Sequence, residues 1–411
     1  MDLESVGSTL RDGARGLAEN ESAEERRAEP VGRLADKAAT PLLGGKAGQR
    51  LCDIVVDRHL IVGHGPDRRG TVDAMEPVFA LQQAVHYLDR ELAPSQKIRA
   101  FQKAIDVVVE VGPTEIAARA AAGTLTDLDG IGKSTAEVIV DAFDDKPDGY
   151  LARLDERSRI PIGEGAPILA ALRGDCHAHT TWSDGGAPLR NMAETAIGLG
   201  HEWMVITDHS ARLTIAHGLN EQRLVWQLDE IEKLNEELAP FRILTGMEVD
   251  IFEDGSLDLA DEMLARLDLV VASVHSKLKL PHDEMTKRMV MAIASPHTDV
   301  LGHCTNRKLV GRGRPPSEFD PEIVFAACAQ FDTAVEINCR PERQDPPEEL
   351  LELALEWECK VAINTDAHAT GQLEWQPFGA DKAVRCGVPV DDIVNTWSAD
   401  EVLAWTASHA A

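Results

Sequence analysis

Histidines and carboxylates recur through the second half of the chain at spacings that could hold metal ions. In GDCHAHTTWSDG (174–185), His177 and His179 alternate within a strand-like run. Successive side chains of an extended strand point to opposite faces, so residues two apart project together and both imidazoles can reach one ion. Asp184 follows in a turn-like SDG and could add an oxygen ligand. Similar endings recur as His209 in WMVITDH, Glu248 in RILTGMEV, His275 in LVVASVH, His303 in DVLGH, and Asp366 and His368 in VAINTDAH. These nine side chains mix nitrogen and oxygen donors, which suits two or three divalent ions such as zinc, manganese or iron without selecting among them. Clustered ions of this kind lower the pKa of a bound water and neutralise charge developing on phosphoryl oxygens. The expected chemistry is metal-assisted hydrolysis by a metal-bridging hydroxide, with no protein nucleophile.

The stretches that carry these residues are short apolar runs, seven with AVEIN, and helical segments such as NEQRLVWQLDEIEKLNEEL and DPEIVFAACAQF stand between them. Near-continuous apolar strands alternating with helices predict a parallel sheet covered by helices, and a barrel is its natural closure. In such barrels the C-terminal strand ends share one face, so residues far apart in sequence converge there. Basic residues follow three of the strands: Lys277 after His275; Arg307, Lys308, Arg312 and Arg314 after His303; Arg340 and Arg343 after AVEIN. On the rim of that face they could clamp substrate phosphates. Asp208 faces away from its neighbour His209 in an extended strand and reads as a supporting residue. His201, His282 and His297 have no strand-end placement, and His217 in AHGLN is either a loop contact near substrate or without a role.

Upstream, residues 75–150 have a helical texture, with apolar residues three and four apart in ALQQAVHYLDREL and QKIRAFQKAIDVVVEV. The region ends in LTDLDGIGKSTAEVIVDAF, where Gly130 and Gly132 permit a tight turn between two helices. Gly132, Lys133 and Ser134 then open the second helix with free backbone N–H groups, which can hold a phosphate without a basic surface. Residues 1–74 are predicted to be a disordered or weakly structured leader, and 151–173, with RIPIGEGAP, a linker ahead of a domain over 174–411.

Across 411 residues the formal charge is −29, which weighs against a broadly basic nucleic-acid-binding coat, although the field at one site can differ in sign. Seven cysteines without a CxxC or a regular framework fit a reducing compartment. With neither a secretory signal pattern at the start nor an apolar run of about 18 to 20 residues, the expectation is a cytoplasmic protein with no membrane partner. Nothing in the sequence addresses oligomeric state.

Two resemblances follow from these motifs. LTDLDGIGKSTAEVIVDAF resembles a helix-hairpin-helix DNA-binding motif, and APSQKIRAFQKAI before it looks like the N-terminal domain of family X DNA polymerases. Members with deoxyribose-phosphate lyase activity carry a lysine just before the hairpin where this chain has Asp127, and the chain has no room for the polymerase domain before GDCHAHT. From Gly174 to about Trp405 the chain resembles the PHP (polymerase and histidinol phosphatase) domain, in the branch found in bacterial family X polymerases; GHCTNRKLVGR and VEINCRPER carry that narrower likeness. The resemblance implies a distorted seven-stranded (β/α)7 barrel behind a small all-α helix-hairpin-helix domain. It also implies one ion on His177, His179, Glu248 and Asp366, and a second on His275 and His303 with Glu248 bridging. A third would sit on Asp184, His209 and His368, with Asp184 where the family often has His. Lys277, Arg307 and Arg343 match its phosphate-binding pattern, and Gly130, Gly132 and Lys133 its DNA contacts. The expected function is a DNA phosphodiesterase, a 3′–5′ exonuclease or 3′-end-processing enzyme of DNA repair. The alternative is a small-molecule phosphomonoesterase of histidinol-phosphatase type.

Overall fold

In the computed structural model, which describes residues 77–144 and 146–409, seven parallel strands run in sequence order around a barrel. They are β1 (Gly174–Asp175), β2 (Trp203–Ile206), β3 (Arg242–Asp250), β4 (Leu269–Ser273), β5 (Val300–Leu301), β6 (Ala334–Asn338) and β7 (Val361–Asn364). The expected strand count and (β/α)7 fold are both observed, and the predicted leader over 1–74 lies outside the described residues. Among the described residues six helices precede the barrel: α1 (Pro77–Arg90), α2 (Ser95–Val111), α3 (Pro113–Ala122), α4 (Lys133–Asp144), α5 (Tyr150–Ser158) and α6 (Ala166–Ala171). Between and after the strands come α7 (Leu189–Gly198), α8 (Glu221–Leu238), α9 (Asp261–Leu264), α10 (His282–Ile293), α11 (Pro321–Phe331), α12 (Glu348–Glu356), α13 (Gln376–Arg385) and α14 (Ala399–His409). None of the described helices is long and apolar enough to cross a membrane.

The period-2 alternation of the strands sorts their side chains into two cores. Trp203 and Val205 pack inside the barrel with Leu244, Val271, Val300 and Ala362, and Val402 and Trp405 of α14 close this core at the N-terminal strand ends. Met204 and Ile206 face outward and are covered by Met192 and Ala196 of α7 and Ile231 and Leu234 of α8. The long β3 pairs with β2 through 242–245 and with β4 through 246–250. Gly246 sits at the change of partner, where a Cβ would meet Val205 and the Leu269 carbonyl oxygen, so no larger residue fits.

β1 and β7 form no ladder, and side chains bridge the seam instead. Asp175 accepts from the main-chain N–H and hydroxyl of Thr365, while Asn364 accepts from the Cys176 N–H at 3.3 Å. Further along, His179 N–H donates to Ala367 O at 2.7 Å, so the main chain closes the seam just where the metal-ligand candidates begin.

Residues 151–173 differ from the linker expected of them, because they contain α5 and α6. The charged YLARLDERS hides a helix whose Leu154 and Ser158 are buried. Arg90 of α1 donates to Ser158 Oγ and to the Asp155 carboxylate, and that network holds α5 in place. α1 also joins the helical region to the barrel at the turn that follows β7. Arg90 pairs with Glu374 at 2.7 Å, His86 Nε2 lies 2.6 Å from Glu374, and Trp375 Nε1 donates to Arg90 O at 3.0 Å. At Gly371 a Cβ would overlap the His86 carbonyl oxygen, so this contact requires a bare backbone.

Candidate metal centre

All nine donors named from the sequence reach the C-terminal face of the barrel, because each stands on or just beyond the end of a strand. Seven of them, Asp184, His209, Glu248, His275, His303, Asp366 and His368, line a cavity of about 240 Å³ together with Lys308, Arg340 and Arg343. His177 and His179 lie beneath it, fully buried. Glu248 is the hub. Its carboxylate lies 3.3 Å from His177 Nε2, 3.5 Å from His179 Nε2, 2.9 Å from His209 Nδ1, 3.2 Å from His275 Nε2 and 3.0 Å from His303 Nε2.

The spacing of these atoms fits coordination. His177 Nε2 and His179 Nε2 are 3.1 Å apart, and Asp366 Oδ1 lies 3.4 Å from the latter and 3.9 Å from the former. A tetrahedral ion with bonds near 2.0–2.1 Å separates its ligand atoms by about 3.3 Å. On the outer side, Asp184 Oδ1 is 3.7 Å from His209 Nε2 and 3.5 Å from His368 Nε2. Despite these short separations, Glu248 Oε1, both ring nitrogens of His275 and Nδ1 of His209 are buried without a contact of hydrogen-bond geometry, as are Nδ1 of His179 and His303. Buried polar atoms are normally satisfied, so this concentration of exceptions suits a site built to hold cations. The cluster is compatible with more than one divalent ion.

The sequence reading missed the residues that orient these donors. Glu336 of β6 accepts from His177 Nδ1 at 2.6 Å and from the His303 main-chain N–H at 2.6 Å. That bond keeps the proton on His177 Nδ1 and turns Nε2 toward the centre. Asn338 donates to both Glu336 and Asp366, at 3.1 and 3.0 Å. Asp250, two residues beyond Glu248 on the same face of β3, accepts from the His275 N–H at 3.0 Å and pairs with Arg212 at 3.0 Å. A carboxylate inside an apolar strand was the available signal, since burying one is costly unless it is paired.

Proton affinities in the cluster diverge. Burial alone would lower His177, but Glu336 and Glu248 hold it well above its ordinary value. His275 is likewise pushed up to about 9, its burial outweighed by Glu248 and Asp250. His179 falls to about 3 through burial and the neighbouring His368 and His209. Glu248 and Asp366 are well below the usual carboxylate range; burial opposes this, and imidazoles around both, with Arg340 beside Asp366, outweigh it. Cys176, Cys304 and Cys339 are buried thiols whose pKa is raised by desolvation, which makes them poor nucleophiles.

The rim differs in part from expectation. Arg343 lines the cavity, but Lys277 is exposed outside its lining, and Arg307 donates to the carbonyl oxygens of Arg343 (3.0 Å) and Gln344. Arg307 therefore holds the 340–344 loop, and Lys308 and Arg340 take the wall positions. Arg340 is steadied by Glu342 at 2.9 Å and by Asp366 O at 2.8 Å. Asp208 faces away from the centre as expected and braces the TTWS turn through Thr180, Ser183 and Gln227. His217 is exposed, His282 pairs with Asp283, and His201 is a core residue bonded to Gln376.

The hairpin glycines take the expected tight turn. Gly130 has φ +97 and packs against Lys103 and Val107. α4 begins at Lys133, with Lys133 and Ser134 exposed. The Gly132 N–H, expected to be free, is instead spent on Thr135 Oγ1 at 2.9 Å.

The PHP domain model matches residues 175–327. The DNA polymerase/3′-5′ exonuclease PolX of Bacillus subtilis is 40% identical over 237 residues, 58% of this chain and 41% of that protein, so the chain spans well under half of this relative's length. A probable phosphatase of Thermoanaerobacter is 30% identical over 234 residues, 54% of this chain and 89% of the relative. Histidinol phosphate phosphatase of Lactococcus lactis, solved with zinc, L-histidinol and phosphate, aligns with a TM-score of 0.38 and 20% identity over 52% of this chain and 92% of that one. The chain belongs to the PHP domain family of phosphoester hydrolases.

Proposed function

We propose that this protein is a metal-dependent phosphodiesterase acting on DNA 3′ ends, in a 3′–5′ exonuclease or end-processing role in repair. The observation that carries the hydrolytic reading is the convergence of six imidazoles and three carboxylates on one strand-end face, five of the imidazoles around Glu248, with buried atoms left unpartnered. His177, His179, Glu248 and Asp366 would hold one ion, Glu248, His275 and His303 a second, and Asp184, His209 and His368 a third. Ions there, zinc, manganese or iron, would supply an activated water and charge neutralisation at phosphorus. The chain's own residues do the rest: Glu336 keeps the His177 Nδ1 proton, and Arg340, Arg343 and Lys308 stand where phosphoryl oxygens would bind. Buried Ala178, Ala367 and Leu373 back the site from the outer core.

Support for DNA comes from the hairpin at 130–133 and from the similarity to PolX. The helical region over 75–150 would present the strand, with the Lys133 and Ser134 N–H groups on a backbone phosphate. The second reading, a small-molecule phosphomonoesterase, is favoured by the likeness to probable phosphatases and by the confined cavity. Metal-loaded protein given 3′-labelled single-stranded and duplex DNA, in parallel with histidinol phosphate, separates the two. Mononucleotide release lost in His177→Ala supports the first, and rapid turnover of the small ester with inert DNA supports the second.

A further inference from the structure

The mouth of the cavity carries features that a compact monoester would leave unused. Two loops rise there from strands on different sides of the barrel. The loop after β2 places Leu213 in the cavity wall and, two residues on, leaves Ile215 88% exposed. That exposure is not slack in a loose loop. Leu219 N–H donates to His209 O at 2.7 Å, and a Cβ on Gly218 would overlap the Ser210 carbonyl oxygen, so the loop closes tightly on the strand end. Arg223 braces it further by donating to the carbonyl oxygens of His217, Gly218 and Trp182.

The loop after β5 is a small hairpin. Lys308 and Arg314 exchange main-chain bonds at 2.9 Å, and Gly311 and Gly313 turn it with φ of +74 and +63. It is tied to the 340–344 loop by Leu309 N–H donating to Glu342 O at 2.7 Å. Lys308 lines the cavity, while Leu309 and Val310 are 54% and 64% exposed. Braced loops that hold three aliphatic side chains in water beside a polar cavity offer an apolar surface.

A second observation is an excess of positive charge. Burial and the nearby Arg343 and Arg314 guanidiniums hold the Lys308 ammonium below its ordinary value. Arg314 gives its Nε to Asn306 O at 2.6 Å, and Arg343 Nε is buried without a hydrogen-bond partner, its nearest carboxylate, Asp366, being 3.7 Å away. Among the described residues neither Lys308 nor Arg314 has a carboxylate in ion-pair range. A monoester brings one phosphate, which ions on the metal donors would take together with Arg340 and Arg343. The remaining cations call for another.

We propose that the 213–217 loop and the 308–314 hairpin form a subsite for the nucleotide adjoining the scissile phosphate of a single-stranded nucleic-acid end. An unpaired base packs on Ile215 or on Leu309 and Val310, and its own phosphate meets Lys308 and Arg314. Aliphatic side chains can lie against the face of an unpaired base and exclude water from both, whereas a base stacked on both sides in a duplex offers no free face without unstacking. The inference rests on the DNA reading above and narrows its substrate to frayed or single-stranded ends.

The test uses the full metal-loaded chain and two exposed-surface variants, Ile215→Ser and the double variant Leu309→Ser/Val310→Ser. Substrates are a single-stranded oligonucleotide, the same strand with an abasic residue next to its 3′ nucleotide, and bis(p-nitrophenyl) phosphate. The double variant is expected to lose about tenfold in kcat/KM on the intact oligonucleotide. It should turn over bis(p-nitrophenyl) phosphate as the parent does, and the abasic strand should erase the difference between variant and parent. Oligonucleotide cleavage untouched by either variant overturns the subsite and leaves the DNA reading standing. Equal losses on both substrates also overturn it, because the loops would then act through the metal centre. A parent chain inert on oligonucleotides overturns the DNA reading, and the subsite with it.

Discussion

The two ends of the barrel bury polar groups in opposite ways. At the N-terminal strand ends nearly every such group is matched: Asp299 accepts from Val270 N–H at 2.7 Å and pairs with His409 at 2.8 Å, and Asp268 accepts from Thr245 N–H at 2.8 Å. Asn395 bonds Ile363 N–H and O at 2.6 and 2.9 Å, and Trp203 Nε1 donates to Trp397 O at 2.9 Å. His201 Nδ1 and His409 Nε2, the latter 3.8 Å from Asp332, are the exceptions there. At the C-terminal ends the unmatched atoms crowd onto His179, His209, Glu248, His275, His303 and Arg343. Leaving a buried polar atom unpaired costs about 1–3 kcal/mol, so a scaffold rarely keeps several together. The matched end is framework, and the unmatched end is built for something that binds.

The largest test of that contrast is Glu248→Ala, which removes the shared contact of five imidazoles. Activity should fall by about a thousandfold, since the charge stabilisation at stake is several kcal/mol. Added Mn²⁺ or Zn²⁺ should raise the melting temperature of the parent but not of the variant. An equal metal-induced rise in both would mean that the unmatched atoms are not the binding site. Glu336→Gln comes next. It keeps the shape of β6 but weakens the hold on the His177 Nδ1 proton, so metal affinity should drop about 10- to 100-fold. Titration with metal followed by equilibrium dialysis reads this directly, and unchanged affinity would remove Glu336 from the site.

The same contrast explains what could be read from the sequence. The strand ends were legible because apolar runs stopping at His209, Glu248, His275 and His303 combine a period with a chemical type. Glu336 was hidden inside AVEIN, where a strand pattern gives no cue to which carboxylate meets an imidazole of β1. The rim was half legible for a different reason. Loops carry no period, so that Arg307 bonds the 340–344 backbone while Lys308 lines the wall follows from main-chain turns that neighbouring charges do not reveal. α5 falls inside the expected linker because the Pro- and Gly-containing RIPIGEGAP beside it signals loop; its placement depends on Arg90, sixty-odd residues away.

That Arg90 contact extends the matched framework into the helical region, and breaking it should cost stability while sparing the metal donors. Glu374→Ala strips a carboxylate from Arg90, whose side chain is 5% exposed, and leaves a buried cation short of a partner. The expected loss is about 3 kcal/mol in urea unfolding. Arg90→Ala combined with it should cost less than the sum of the two single changes. Additive losses would show that α1 and the 370–375 turn are not coupled through this pair.

The smallest effect belongs to His409, which fastens α14 over the N-terminal end. Burial would lower its pKa, but the hydrogen bond to Asp299 and the nearby Asp332 carboxylate push it up to about 9. A histidine raised in the folded state contributes stability fully below its unfolded pKa, about 6.5, and loses it as pH rises through the folded value. The melting temperature of the parent should therefore decline from about pH 7 to beyond 9 through this group, by about 3 °C. His409→Gln should be less stable at pH 6 and nearly flat across that window. A variant that tracks the parent's slope would mean another group titrates there, and the matched end would then owe less to this ion pair than to the packing of Trp405 and Val402.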